Sequence, residues 1–125
     1  MTQFLLSLSH DSAEEPTMAT MDPADLEAAM AAAGGFIQEL TDSGALVFAG
    51  GLYPPSSAVT ADGTGDEVSL TDGPFVEAPE YVGGLWVIEA PDRDAAVAWG
   101  VKAAKAVKGR VEVRAFQEPP AKADG

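Results

Sequence analysis

A chain of 125 residues with a net charge of −13 and no cysteine is long enough for one hydrophobic core and too short for two. The acidic balance argues against nucleic acid, whose binding rests on lysine and arginine neutralising phosphates; the lack of thiols excludes disulfides and any cysteine-based zinc site. No apolar run reaches the roughly 18 to 20 residues of a bilayer-spanning helix, and residues 4–8 are too short a stretch, without a basic flank, for a signal peptide.

A cytoplasmic protein with neither a membrane nor a nucleic-acid partner is therefore expected. No EF-hand spacing supports a carboxylate-only Mg²⁺ or Ca²⁺ site, so neither metal nor cofactor is expected. The charge is also unevenly placed. All basic residues lie from Arg93 onward, whereas residues 1–92 carry sixteen carboxylates and no cation.

In chain order, residues 3–10 read as a strand, with Phe4, Leu6 and Leu8 on one face and Leu5, Ser7 and Ser9 on the other. A polar loop over residues 11–20 follows. Asp22 then suits a helix N-cap and Pro23 the first helical position, where a missing N–H costs nothing. Leu26, Met30, Ala33, Ile37 and Leu40 recur at helical spacing as the apolar stripe. Gly34-Gly35 reads as a weak point that permits close approach to the sheet, and Ser43-Gly44 as the stop.

Residues 45–52 read as a second strand, apolar on both faces, with Gly50-Gly51 suggesting a bulge or a close backbone contact. Tyr53-Pro54-Pro55-Ser56-Ser57 reads as a stiff exposed turn, and residues 58–61 and 67–71 as an inserted hairpin. Asp72-Gly73-Pro74 punctuates the chain: Gly73 permits positive φ, while Pro74 biases it away from helix. The stretch from Tyr81 to Glu89 is nearly all apolar, as in a strand buried on both faces. A second helix is expected over residues 91–108, with Ala96, Trp99, Ala103 and Ala106 inward and Gly109 at its left-handed stop. Residues 111–116 form the last strand, and residues 118–125 read as a flexible tail beyond a domain of residues 1–117.

The order β-α-β, hairpin, β-α-β gives an α+β, ferredoxin-like βαββαβ sandwich with a β-hairpin insertion. Both helices then cover one face of an antiparallel sheet, yet two of its strands are apolar on both faces. The uncovered face is expected to be an interface, most economically with a second copy of the chain.

Thr71-Asp72-Gly73-Pro74-Phe75, with Glu77 and then Gly83-Gly84-Leu85-Trp86-Val87-Ile88-Glu89-Ala90, resembles the DGPF group of the YCII-related (YciI-like) proteins. Gly51-Leu52-Tyr53-Pro54-Pro55 and Arg110-Val111-Glu112-Val113-Arg114 are similar to further stretches of that group. The resemblance implies a ferredoxin-like fold that dimerises as an α+β barrel, with a cleft between sheet and partner. One YCII-related branch includes dehydrochlorinases with a proposed catalytic His-Asp pair, and similar barrels include muconolactone isomerases. DGPF-group genes often neighbour extracytoplasmic-function sigma factors, which implies a regulatory role. The catalytic branch carries its histidine near the first helix; here the only histidine is His10, so the pair does not transfer by motif.

Two candidate catalytic residues follow. His10 titrates near neutrality and suits a general base, unless it simply begins the loop. Asp72 suits acid–base work in a cleft, or a turn in which it bonds to nearby backbone. For ligand binding, Glu77 and Tyr81 flank the entry to the central strand. In strand order 4-1-3-2, Arg114 and Glu112 share the non-helix face with Ser7 and Ser9. A guanidinium beside two hydroxyls suits a carboxylate or phenolate, the alternative being an Arg114–Glu112 ion pair. Trp86 and Trp99 read as packing residues.

Two functions stay open. One is a homodimer binding a small cyclic or aromatic compound between sheet face and partner, with isomerase- or lyase-like activity. The other is a non-catalytic regulatory or interaction module linked to sigma-factor signalling.

Overall fold

The computed structural model describes residues 1–10, 22–74 and 81–118, with His10 as backbone alone. The expected loop over 11–20, Glu77, and the expected tail beyond Glu118 lie outside the described residues. Strand β1 (Thr2–His10) is followed by helix α1 (Pro23–Ser43), β2 (Leu46–Gly51), the hairpin β3 (Val59–Asp62) and β4 (Ser69–Asp72), then β5 (Tyr81–Ala90), α2 (Arg93–Val107) and β6 (Arg110–Ala115). Strands β2-β5-β1-β6 form one antiparallel sheet in that order, and β3-β4 a second sheet of two strands. This is the ferredoxin-like α+β arrangement, with the hairpin inserted between the second and third strands of the main sheet.

The helices begin where their caps dictate. Asp22 Oδ1 accepts from the Ala24 N–H at 2.9 Å, and Asp92 Oδ1 from the Ala95 N–H at 2.8 Å. Each bond satisfies a donor that an α-helix leaves orphaned in its first turn. Helix α1 stops at Gly44, which takes the left-handed conformation (φ 78°) and returns its N–H to the Leu40 and Thr41 carbonyls. Helix α2 departs from expectation. Its left-handed residue is Lys108 (φ 53°), one position before the glycine. Gly109 makes room instead: a Cβ there would meet Leu8 Cδ1 at 3.2 Å.

Phe4 and Leu6 of β1, with Trp86, Ile88 and Ala90 of β5, form the floor of the core. Phe36 and Leu40 of α1 and Ala96 and Ala103 of α2 close it from above. The Phe36 ring meets Trp86 edge-on at 5.3 Å and Trp99 at 6.2 Å. Such pairs add about 0.5–1.5 kcal/mol beyond burial itself. The stripe expected on α1 runs too far toward its N-terminus. Met30 is 58% exposed while Phe36 is buried, because only the C-terminal half of α1 packs against the sheet and its neighbour helix.

Glycine placement also corrects the sequence reading. A Cβ on Gly34 or Gly35 would meet nothing within 4 Å, so neither serves a close approach. The close approaches are at Gly100, whose Cβ would meet Val113 Cγ2 at 2.5 Å, and at Gly84, whose Cβ would meet the Gly50 carbonyl oxygen at 3.3 Å. The β2 irregularity falls between Leu46 and Phe48, so of the two readings of Gly50-Gly51 the close backbone contact holds and the bulge does not.

The acidic α1 lies beside the basic α2, with Lys102 Nζ 3.3 Å from Glu39 Oε1 and 5.1 Å from the Trp99 ring centroid. In the hairpin turn, Asp62 Oδ1 accepts from the Thr64 hydroxyl at 2.6 Å and the Thr64 N–H at 2.9 Å. These bonds hold the Asp62 carboxyl below its ordinary range, the hydroxyl contributing most.

Two glycine-to-alanine changes on helices should have opposite signs. Gly34→Ala removes backbone freedom in open space and should stabilise by up to about 1 kcal/mol. Gly100→Ala forces Val113 aside and should destabilise by about 1–2 kcal/mol net of its helix gain. Urea denaturation of both variants checks the pair.

Candidate functional site

Helices cover one sheet face only, so alternate residues of each strand point away from them. On that open face the register sets three rows. Ser9 stands between Val82 and Arg110, Ser7 between Leu85 and Glu112, and Leu5 between Val87 and Arg114. Phe48 continues the last row onto β2 across from Val87 and is 61% exposed. The face is apolar on its β2–β5 side and charged along β6.

The first row depends on a bulge. Leu8 pairs with Gly84 but Ser9 pairs with Val82, so Gly83 is the extra residue of β5. Simple alternation would put Val82 on the helix side with Trp86 and Ile88. The shift sets it opposite Ser9 instead, and it remains half exposed.

At this end of the sheet lies an open cavity of about 360 Å³, lined by Ser7, Ser9, Tyr81, Val82, Arg110 and Glu112 with parts of Leu8 and Val111. Its size is that of a small-molecule site. Ser7 is 7% exposed, which makes it a polar group on the floor of the central strand. Arg110 supplies a planar cation with several fixed donors, matched to a carboxylate or phenolate. Glu112, the next outward-facing residue of β6, adds a carboxylate to the same lining.

Of the residues picked out from sequence, Ser7, Ser9 and Tyr81 line this cavity. Arg114 lies two residues further along β6, opposite Leu5, with Nη2 2.9 Å from Glu112 Oε1. Both side chains of that pair are well exposed. Asp72 ends β4, paired with Val59 on the exposed hairpin, and does not line the cavity. Beside it Gly73 takes φ 115°, donates its N–H to the Ala58 carbonyl at 2.7 Å and accepts the Thr60 hydroxyl at 2.9 Å. The aspartate therefore sits in the closure of the hairpin. The His10 backbone pairs with Tyr81 at the cavity's end, while Glu77 lies outside the described residues.

Arg110 is the residue that sequence reasoning passed over. Starting β6 at Val111 left it out of the strand, although it shares parity with Glu112 and Arg114. Adding one residue to the strand would have placed it opposite Ser9.

Among the described residues no three His, Cys, Asp or Glu side chains come together as a metal site, and no helix is long and apolar enough to cross a membrane. The model of the YCII-related domain matches residues 5–118. The chain belongs to the YCII-related family. A search of curated proteins returns no match. The YCII-related segment takes in both βαβ halves, the hairpin and every described residue lining the cavity.

The exposed Arg114–Glu112 pair should contribute little to the YCII-related fold, since such pairs are worth about 0–1 kcal/mol. Arg114→Ala should lower the unfolding free energy by less than about 1 kcal/mol in a urea titration, with the slope unchanged.

Proposed function

We propose that this YCII-related protein acts as a homodimer whose sheet-face cavity binds a small cyclic or aromatic anion, a carboxylate or a phenolate. The observation that carries this reading is the cavity itself, where Arg110, Ser7 and Ser9 stand beside Val82 and Tyr81. The arginine and hydroxyls suit the charged oxygens, and the valine and tyrosine suit a ring. Leu5, Leu85, Val87 and Phe48 continue the apolar surface away from the cavity. A second copy packed there would exclude water from the site and strengthen each polar contact within it.

Chemistry in such a site is proton transfer on the bound ring, an isomerisation or an elimination. His10 is the one side chain whose ordinary pKa suits moving that proton at neutral pH. The reading is supported by the pairing of its backbone with Tyr81, a residue that lines the cavity.

The test is a thermal-shift screen of small carboxylates, phenols, lactones and quinones, with light scattering at micromolar protein. A ligand at a hundred times its Kd adds about 2.7 kcal/mol, which raises the melting temperature by several degrees at this size. The expected result is a dimer and a hit that is lost in Arg110→Ala and kept in Arg114→Ala. A hit retained by Arg110→Ala would move the site elsewhere. No hit in the whole panel would favour the non-catalytic interaction module.

A further inference from the structure

Two short polar side chains of β1 set a length inside the cavity. Ser7 and Ser9 both stand on the open face and both line the cavity. Strand β1 pairs with β6 without interruption across them, so they are separated by two residues of a regular strand, about 6.6 Å. A serine hydroxyl lies one bond beyond Cβ and has little reach, so the two hydroxyls keep close to that spacing. Each marks a row with its own charge. Ser9 is across from Arg110, and Ser7 is across from Glu112. On the other side of β1 the same rows carry Val82 and Leu85. The cavity therefore offers two polar stations, one with a cation and one with an anion, beside an apolar edge.

The stations suit different groups. Ser9 and Arg110 present donors to an anionic oxygen. Ser7 presents a hydroxyl, which donates or accepts, and Glu112 a carboxylate, which only accepts. Glu112 already accepts from Arg114 Nη2 at Oε1 over 2.9 Å, and a carboxylate has acceptor positions on both oxygens, so a further donor finds room. A neutral hydroxyl satisfies this station, giving its proton to Glu112 and accepting from Ser7. Coulomb attraction sets the direction, with the anionic end of a ligand at Arg110. Spacing then limits the shape. Oxygens on neighbouring ring atoms lie within hydrogen-bond distance of each other, about 2.7 Å, and reach one row only. Oxygens at opposite ends of a six-membered ring stand roughly a row spacing apart and reach both.

We propose that the ligand is a six-membered ring carrying a carboxylate and, at the opposite end, a hydroxyl. Arg110 and Ser9 hold the carboxylate; Ser7 and Glu112 receive the hydroxyl and determine specificity. The inference rests on the anion-binding reading of the cavity given above, and not on how copies of the chain associate. A phenol keeps its proton at neutral pH, as tyrosine does, so it meets Glu112 as a donor. Ser7 is only 7% exposed, and a buried group placed to bond a ligand hydroxyl penalises the analogue that lacks it.

Calorimetric titration of the protein with para-, meta- and ortho-hydroxybenzoate and with benzoate tests this. The expected result is that para-hydroxybenzoate binds about tenfold more tightly than benzoate or the ortho isomer, the order of a hydrogen bond to a charged group. That ratio falls toward unity in Ser7→Ala and in Glu112→Ala, whereas Arg110→Ala weakens every member of the series. Equal affinity for benzoate and para-hydroxybenzoate overturns the inference and leaves the anion site standing. A preference for the ortho isomer does the same, as does a para preference that both Ser7→Ala and Glu112→Ala keep. Failure of the whole series to bind also overturns it, and the anion site is then decided by the other compounds of the thermal-shift panel.

Discussion

The structure turns on β5, a strand apolar on both sides in an antiparallel sheet whose helices lie on one side only. Trp86, Ile88 and Ala90 are buried under α1 and α2, while Leu85 and Val87 face the other way and are half-covered by their neighbours. An antiparallel sheet with a solvated face ordinarily alternates apolar and polar residues. Here the alternation is kept by β6, with Val111 and Val113 inward and Arg110, Glu112 and Arg114 outward, and is broken by β5 and β2. The open face is thus divided lengthwise into an apolar half and a charged half. That division is what gives the cavity its chemistry and any docking partner its orientation.

The elements of this fold are legible in the sequence because they are specified locally. Asp22-Pro23 and Asp92 begin helices by bonding the next free N–H groups, and Gly44 ends one by adopting positive φ. What the sequence concealed depends on contacts between distant segments. Nothing near Gly34-Gly35 shows that the tight helix–sheet contact lies instead at Gly100 on Val113. Nothing near Met30 shows that α1 overhangs the sheet there. The bulge at Gly83 is set by pairing with β1, so strict alternation put Val82 on the wrong side. Arg110 was missed for a smaller reason, a strand boundary misplaced by one residue, and boundaries are where periodicity says least.

The separation of acidic and basic residues along the chain contributes more to arrangement than to stability. Its contact between the helices, Glu39 with Lys102, joins two side chains that are each more than half exposed, where an ion pair is worth well under 1 kcal/mol. Charges of one sign confined to one region act instead over a Debye length of about 10 Å, favouring some approaches of a second molecule and penalising others. The all-acidic hairpin and the cationic start of β6 are separate surfaces of one chain.

Local rules are broken at two points on the central strands, and both lie at the cavity. Ser7 is a buried hydroxyl on the open face of β1, between Leu5 and Ser9, and Gly83 is an extra residue of β5 left out of its pairing with β1. Neither improves the core. An apolar residue at position 7 would bury more surface, and a regular β5 would add a ladder bond and hide Val82. Sequences that satisfy packing, pairing and patterning elsewhere tend to violate them where a site is required, and bulges are frequent beside such sites. The two departures act together: the bulge turns Val82 toward Ser9 and Arg110, and Ser7 keeps the floor polar beneath them. An apolar wall, a polar floor and a cation at the rim are the parts that recognise a small ring bearing an anionic group.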